Sequence, residues 1–280
     1  MRTLEAGKIT AAVSEALQRM NYHAGPELKR MLEDARERES SPLGRQALEL
    51  LLKNMDMAAV GVHPLCQDTG LTVMFVDIGQ DVHIAGGDLD GALQEGVRQA
   101  TREGGLRNSV SVHPLQRENT GDNTPAVVHT RIVPGKGFTV RMMSKGGGSE
   151  NASALTMLVP AAGVEGVEAF VEETVRRQGA MACPPLIVGV GLGGNFESAP
   201  ALAKQALFRP LGRASEDPAL AELESRLLAR INRLGVGPQG WGGTVTALAV
   251  AVEARPCHIA SLPVAVNVEC HSHRTAEVKL

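Results

Sequence analysis

The stretch Pro64-Leu65-Cys66-Gln67-Asp68-Thr69-Gly70 sets a thiol, an amide, a carboxylate and a hydroxyl side by side. Apolar runs flank it, and polar groups between buried segments are costly unless something pairs them. Two more cysteines stand at similar junctions: Cys183 in Ala182-Cys183-Pro184-Pro185, and Cys270 in Val268-Glu269-Cys270-His271. A single buried cysteine is usually a small hydrophobe. The shared setting of these three, beside Pro, Gly or polar residues, is not explained that way. They lack the paired C-x-x-C spacing of a zinc ribbon. They suit an iron–sulfur cluster in which one iron has no protein thiolate. Cys257 precedes His258 and, on spacing alone, could replace Cys270 as a ligand.

Other residues near these junctions have a structural reading and a chemical one. Asp68 could cap a turn, or handle a proton beside a candidate ligand. Arg107 could be a solvated charge, or could hold a carboxylate through a bidentate pair. Lys145-Gly146-Gly147-Gly148 is not a phosphate loop, because the Lys comes before the glycines. It could end a hairpin, or let backbone approach an anion closely. His258 and His271 flank the last cysteine region and are candidates for catalysis. Gly189-Val190-Gly191-Leu192-Gly193-Gly194 formally matches G-x-G-x-x-G. A nicotinamide-dependent oxidoreductase would use such a loop, but a lone match without a second βαβ unit is a weak signal.

Composition narrows the ligand. Hydrophobic residues make up 43%, enough for a sizeable core and against disorder. A net charge of -3 gives no basic stripe for nucleic acid. Aromatics are only 2%, which leaves little to stack on bases or flavins and favours a small polar ligand. No apolar run reaches the roughly 18 residues of a membrane span. The start, Met1-Arg2-Thr3-Leu4-Glu5, has no apolar signal core, so a cytoplasmic protein is expected. Four cysteines in such a chain suggest thiols or metal ligands rather than disulfides.

The elements that must position these residues can be read coarsely. Residues 3–63 are expected to be helical, with Ile9, Val13, Leu17 and Met20 on one face. Gly25-Pro26 breaks the pattern, a charged helix covers 27–39, and Ser41-Pro42 caps a helix over 43–60 that delivers the chain to Cys66. Strands follow at 71–78 and 82–85, then a helix over 88–102. The polar segment 106–125 has no periodicity, and loops of that length in a compact domain are usually functional. Strands 126–133 and 138–143 are expected to pair as a hairpin across Pro134-Gly135-Lys136-Gly137. Helices at 163–178, 198–208 and 218–234, and strands at 186–190, 245–252 and 262–268, complete the chain. The expectation is an α+β fold: one large domain over 1–280, or two interlocked halves, with a helical N-terminal region and mostly antiparallel sheets.

With these pieces assembled, the chain resembles the iron–sulfur class of fumarate hydratases and the related L-tartrate dehydratases, and in particular their separate α subunit. The resemblance rests on Cys66-Gln67-Asp68-Thr69-Gly70, Asn119-Thr120-Gly121-Asp122-Asn123-Thr124-Pro125 and Lys145-Gly146-Gly147-Gly148-Ser149-Glu150-Asn151. It continues through Cys183-Pro184-Pro185, Gly237-Pro238-Gln239-Gly240-Trp241-Gly242-Gly243-Thr244 and Ser261-Leu262-Pro263-Val264-Ala265-Val266-Asn267 to Cys270. It implies a 4Fe–4S cluster held by Cys66, Cys183 and Cys270, with Cys257 as the non-ligand. It implies that Gln67, Asp68, Arg107 and His258 meet a dicarboxylate, that Gly147 approaches it by its backbone, and that Asp68 and His258 handle protons. Single-chain relatives carry a second domain with further cations and a proposed base. A separate β subunit is therefore implied, in an α2β2 assembly. The implied reaction is the fumarate–malate interconversion of the tricarboxylic acid cycle. Loss of water from tartrate to give oxaloacetate is the near alternative. An isolated scaffold or binding subunit is a third reading.

Overall fold

The computed structural model describes residues 1–280. The chain opens with a short strand, β1 (Arg2–Glu5), before helix α1 (Ala6–Tyr22), so the N-terminal region is not helical from residue 3. Ile9, Val13, Leu17 and Met20 are all buried, as their spacing requires. Helix α2 (Pro26–Arg38) starts at a proline, and α3 (Pro42–Ala59) follows Ser41. The Ser41 hydroxyl accepts the Gly44 amide at 3.2 Å, the expected cap. Next come β2 (Leu71–Gly79), β3 (Val82–Ala85) and α4 (Leu89–Glu103). Asp88 caps α4 by accepting the Gly91 amide at 2.7 Å. Then follow β4 (Val127–Val133), β5 (Phe138–Lys145), the short α5 (Gly147–Asn151), β6 (Ala154–Leu158) and α6 (Gly163–Gln178). The chain continues through β7 (Leu186–Gly194), α7 (Ser198–Ala206), α8 (Pro218–Arg233), β8 (Ala247–Cys257), β9 (Leu262–Glu269) and β10 (Thr275–Lys279).

The chain divides into two compact units. The first comprises 1–24, 55–147 and 274–280. Its main sheet runs β10-β5-β2-β4, and β1 pairs with β3 in a small parallel ribbon. Met74, Val76, Val140 and Met142 of the sheet meet Ile9, Val13, Leu93 and Val97 of α1 and α4 in one core. The expected hairpin between β4 and β5 does not form. Strand β4 pairs in parallel with β2, while β5 lies antiparallel between β2 and β10. The 134–137 turn instead passes over the end of β2: Gly79 N donates to Gly137 O at 2.7 Å and Asp81 N to Gly135 O at 3.0 Å. Burial explains the choice. Strand β5 is largely buried and takes the interior, whereas β4 is largely exposed and suits only an edge.

The second unit comprises 25–54 and 148–273. Its sheet runs β6-β9-β7-β8, with β7 parallel to β8 and the other pairs antiparallel. Side chains alternate across β7. Val188 and Val190 join the core made with Val171 of α6 and Leu227 of α8. Gly189 and Gly191 face α7, so closely that a Cβ on either would lie 2.2 Å from Ala203 O or 2.3 Å from Ala199 O. This corrects the dinucleotide-loop alternative: the glycines lie within a strand and let a helix pack on it, rather than forming a strand-to-helix turn. The fold is α+β with mixed sheets, antiparallel pairs predominating. No helix is long and apolar enough to cross a membrane.

Candidate active site

In the first unit the Cys66 turn is built around two buried side chains, Asn21 and Arg274. Leu65 N donates to Asn21 O at 2.8 Å. Arg274 Nη1 donates to Asp68 O at 2.7 Å and to Asn21 Oδ1 at 3.0 Å. A guanidinium that is 2% exposed is thus spent on holding this turn. Within the turn, Asp68 N points at Cys66 Sγ at 3.4 Å, and Gln67 Oε1 lies 3.6 Å from the same sulfur. Gly70 has φ 72°. A Cβ there would lie 2.1 Å from Lys145 O, so only glycine lets the turn pass this strand.

The Asp68 carboxylate accepts three hydrogen bonds. Oδ1 accepts Gly70 N at 2.9 Å and the Ser109 hydroxyl at 3.0 Å, and Oδ2 accepts Gly147 N at 2.7 Å. Burial pushes its pKa up. The bonds from Gly147, Ser109 and Gly70, with the Arg274 charge, outweigh that and hold it below the ordinary value. The Gly147 amide expected to meet a ligand carboxylate is therefore taken by Asp68. Arg107 and Gln67 are exposed, and Arg107 carries no ion pair. Ser109 was not singled out by the sequence. The only hint was its place in the polar 106–125 segment.

In the second unit the register decides which cysteines meet. Cys183 lies just before β7, and Cys270 just after β9, whose Glu269 pairs with Ile187 at the start of β7. His271 N donates to Cys183 O at 3.3 Å, and His271 Nδ1 is 3.1 Å from the same oxygen. Gln239 donates from both its backbone N and its Nε2 to Pro184 O, each at 2.8 Å. Its Nε2 is also 3.3 Å from His271 Nδ1. Cys270 Sγ lies 3.0 Å from the hydroxyl of buried Ser272. Cys183 has φ 52°, a strained conformation held by these partners.

The Gly237–Thr244 loop that carries Gln239 is anchored at its far end by Glu39, which is 0% exposed. Its carboxylate accepts Ser41 N at 2.8 Å, Thr244 N at 2.9 Å and Val245 N at 2.8 Å. Burial raises the Glu39 pKa, and these bonds with the Thr244 hydroxyl bring it below the ordinary value. Glu39 was read only as the end of a charged helix. An acid at a helix C-terminus opposes the macrodipole, and that was its one signal.

Cys257 and His258 lie at the opposite end of the same sheet, where Cys257 pairs with Gly194. Seven residue steps along β7, from Ile187 to Gly194, separate the ends, about 23 Å at the usual rise. His258 is exposed, and its Nδ1 accepts only the nearby Ala260 N at 3.1 Å. Within one copy of the chain His258 stands at the far end of this sheet from Cys183 and Cys270, because β8 runs parallel to β7 and carries it away. The same register removes Cys257 as a substitute for Cys270.

No disulfide joins any of the four cysteines. Within neither unit do three His, Cys, Asp or Glu side chains converge as a single-ion site. The donor set nevertheless fits thiolate ligation to a cluster. Cys66 has an amide aimed at its sulfur and Cys270 a hydroxyl beside its own, the kind of hydrogen bonding that stabilises ligating thiolates.

A family model described as fumarate hydratase (fumerase) matches residues 10–279. A Methanocaldococcus jannaschii protein named "Putative L(+)-tartrate dehydratase subunit alpha" is 39% identical over 275 residues, covering 96% of each chain. The "L(+)-tartrate dehydratase subunit alpha" of Escherichia coli strain K12 is 32% identical over 271 residues, covering 95% of this chain and 89% of that one.

Proposed function

The chain belongs to the fumarate hydratase family, a family of hydro-lyases, and on that premise we propose that it is the α subunit of a 4Fe–4S enzyme interconverting fumarate and L-malate. Residues 1–280 form its catalytic domain, and a separate β subunit completes it as a cytoplasmic α2β2 assembly. The relatives' names, which carry the words "subunit alpha", support the need for that partner. The observation that carries the reading is the Cys66–Gly70 turn. There a thiol approached by a backbone amide adjoins a carboxylate that three donors hold.

Cys66, Cys183 and Cys270 would hold the cluster, which when bound supplies Lewis-acid chemistry for adding or removing water. Arg107, exposed and without an ion pair, takes a substrate carboxylate as a charge-assisted pair, with Gln67 beside it. Gly147 acts through Asp68, which its amide fixes. Asp68, held by three donors, is the group that handles a proton on this subunit. The main base is placed on the β subunit. His258 of the same copy is left out of this chemistry.

Malate-to-fumarate conversion, assayed under nitrogen with and without the β subunit, tests the reading. The chain alone is expected to retain iron and sulfide yet turn over negligibly, and the partner to restore turnover. Full activity from the chain alone would end the two-subunit reading. A second reading, dehydration of L(+)-tartrate to oxaloacetate, is favoured by the names of the relatives. The same preparation offered L(+)-tartrate decides between them: the larger kcat/KM identifies the substrate.

A further inference from the structure

The Asn119–Pro125 stretch has so far no role, and Asn119 and Gly121 turn back on their own loop. Asn119 Nδ2 donates to Asn108 O at 3.0 Å, and Asn108 Nδ2 donates to Gly121 O at 2.9 Å. Gly121 N closes this knot on Asn119 Oδ1 at 2.7 Å. Asp122 accepts Thr124 N at 3.0 Å and Arg98 Nε, from α4, at 2.9 Å. Asn123 does something different. It is 0% exposed and sits at φ 61°, a conformation that Asn tolerates better than most residues. Its Oδ1 accepts Ser109 N at 2.7 Å, and its Nδ2 donates to Gly70 O at 3.1 Å. One buried amide thus bridges the 107–109 segment and the Cys66–Gly70 turn. Ser109 adds a second bridge, accepting Gly70 N at 3.3 Å and donating to Asp68 Oδ1 at 3.0 Å.

Arg107 lies two residues before Ser109, and its exposed side chain carries no ion pair. What ties Arg107 to the Asp68 turn is the backbone leading to Ser109, which these bridges hold. We infer that Asn123 and Ser109 are positioning residues that register Arg107 against Asp68, so that the guanidinium meets a substrate carboxylate where the carboxylate of Asp68 is held. The inference rests on the reading of Arg107 as the carboxylate-binding cation.

The test is a double-mutant cycle on the enzyme assembled with its β subunit under nitrogen. The quantity measured is the dissociation constant of succinate, a four-carbon dicarboxylate that cannot lose water. Arg107→Ala is expected to weaken succinate about 10- to 150-fold. Ser109→Ala should weaken it about tenfold, with iron content and melting temperature as in the wild type. Ser109→Thr, which keeps the hydroxyl, should recover most of the loss. The Arg107→Ala, Ser109→Ala double variant should bind within about twofold of Arg107→Ala, because register has no value once its guanidinium is gone. Asn123→Asp keeps the acceptor for Ser109 N and removes the donor to Gly70 O, and combined with Arg107→Ala it should show the same non-additivity. Additive losses in both pairs, or a Ser109→Ala enzyme that binds succinate normally, would reduce these residues to a loop lock and overturn the inference. Normal succinate binding by Arg107→Ala would instead overturn the carboxylate assignment itself, and this inference with it.

Discussion

At one end of the second unit's sheet stand Cys183, Cys270 and His271, and at the other stand Cys257 and His258. The residue types are the same, and prolines and serines accompany both. The difference is where the hydrogen bonds go. Around Cys257, beyond its ladder pairing with Gly194, the turn and side-chain bonds are local: Cys257 Sγ to Ser261 O at 3.3 Å, Ala260 N to His258 Nδ1 at 3.1 Å, and Ser261 N to His258 O at 3.0 Å. Around Cys183 the partners come from afar in sequence, with His271 on Cys183, Gln239 on Pro184, and Glu39 behind the Gln239 loop, while the Cys270 sulfur has the nearby Ser272 hydroxyl. A local turn orders a few residues at low entropic cost. Bonds between distant segments require the whole unit to be folded, and they fix two thiols relative to each other. The residue types are alike at the two ends, and the long-range bonds at Cys183 are what differ.

Replacing the sulfurs should separate the two ends most sharply. Cys183→Ser and Cys270→Ser are each expected to abolish cluster retention, whereas Cys257→Ser keeps it. Anaerobic iron and sulfide analysis reads this directly. Loss in the Cys257 variant with retention in the Cys270 variant would reverse the assignment.

Glu39 should give the next largest effect. Glu39→Ala leaves three backbone amides without their acceptor, of which Val245 N is buried, at about 1–3 kcal/mol. Urea unfolding measures this loss, and a variant as stable as wild type would contradict the anchor. The pH dependence has a definite sign. The folded-state pKa lies below the unfolded one, so the contribution is fully present above the unfolded value. It is lost as pH falls through the folded value. Glu39→Gln should flatten that acid limb of the stability curve.

Gln239→Leu removes the side-chain bonds to Pro184 and His271 but keeps the backbone bond, a change of about 1 kcal/mol. Its visible consequence should be faster iron loss in air than in the wild type. An unchanged loss rate would show that the loop leaves the cysteine pair alone. The smallest effect is expected at the far end: His258→Ala should change stability by no more than about 0.5 kcal/mol and leave the iron content intact. Iron loss in this variant would collapse the contrast between the two ends.

The sequence by itself determined the elements whose cause is local. Helix α6 spans the expected residues, α4 starts beside its Asp88 cap, and β3 has its expected bounds, because periodicity and capping act within a few residues. The sequence also marked the cysteine junctions and the polar 106–125 segment, since polar groups beside apolar runs are conspicuous anywhere. Only the tertiary structure decided which segments meet. It placed β5 between β2 and β10 rather than beside β4, because strand pairing follows burial and the local pattern names no partner. It put Cys270 beside Cys183 and sent Cys257 and His258 away, because a parallel and an antiparallel neighbour of one strand carry their ends in opposite directions. It turned Glu39, Ser109, Asn123 and Gln239 from polar residues without an individual role into anchors. A side-chain hydrogen bond across tens or hundreds of residues leaves no periodic trace in the chain, and exists only once folding has brought its donor and acceptor together.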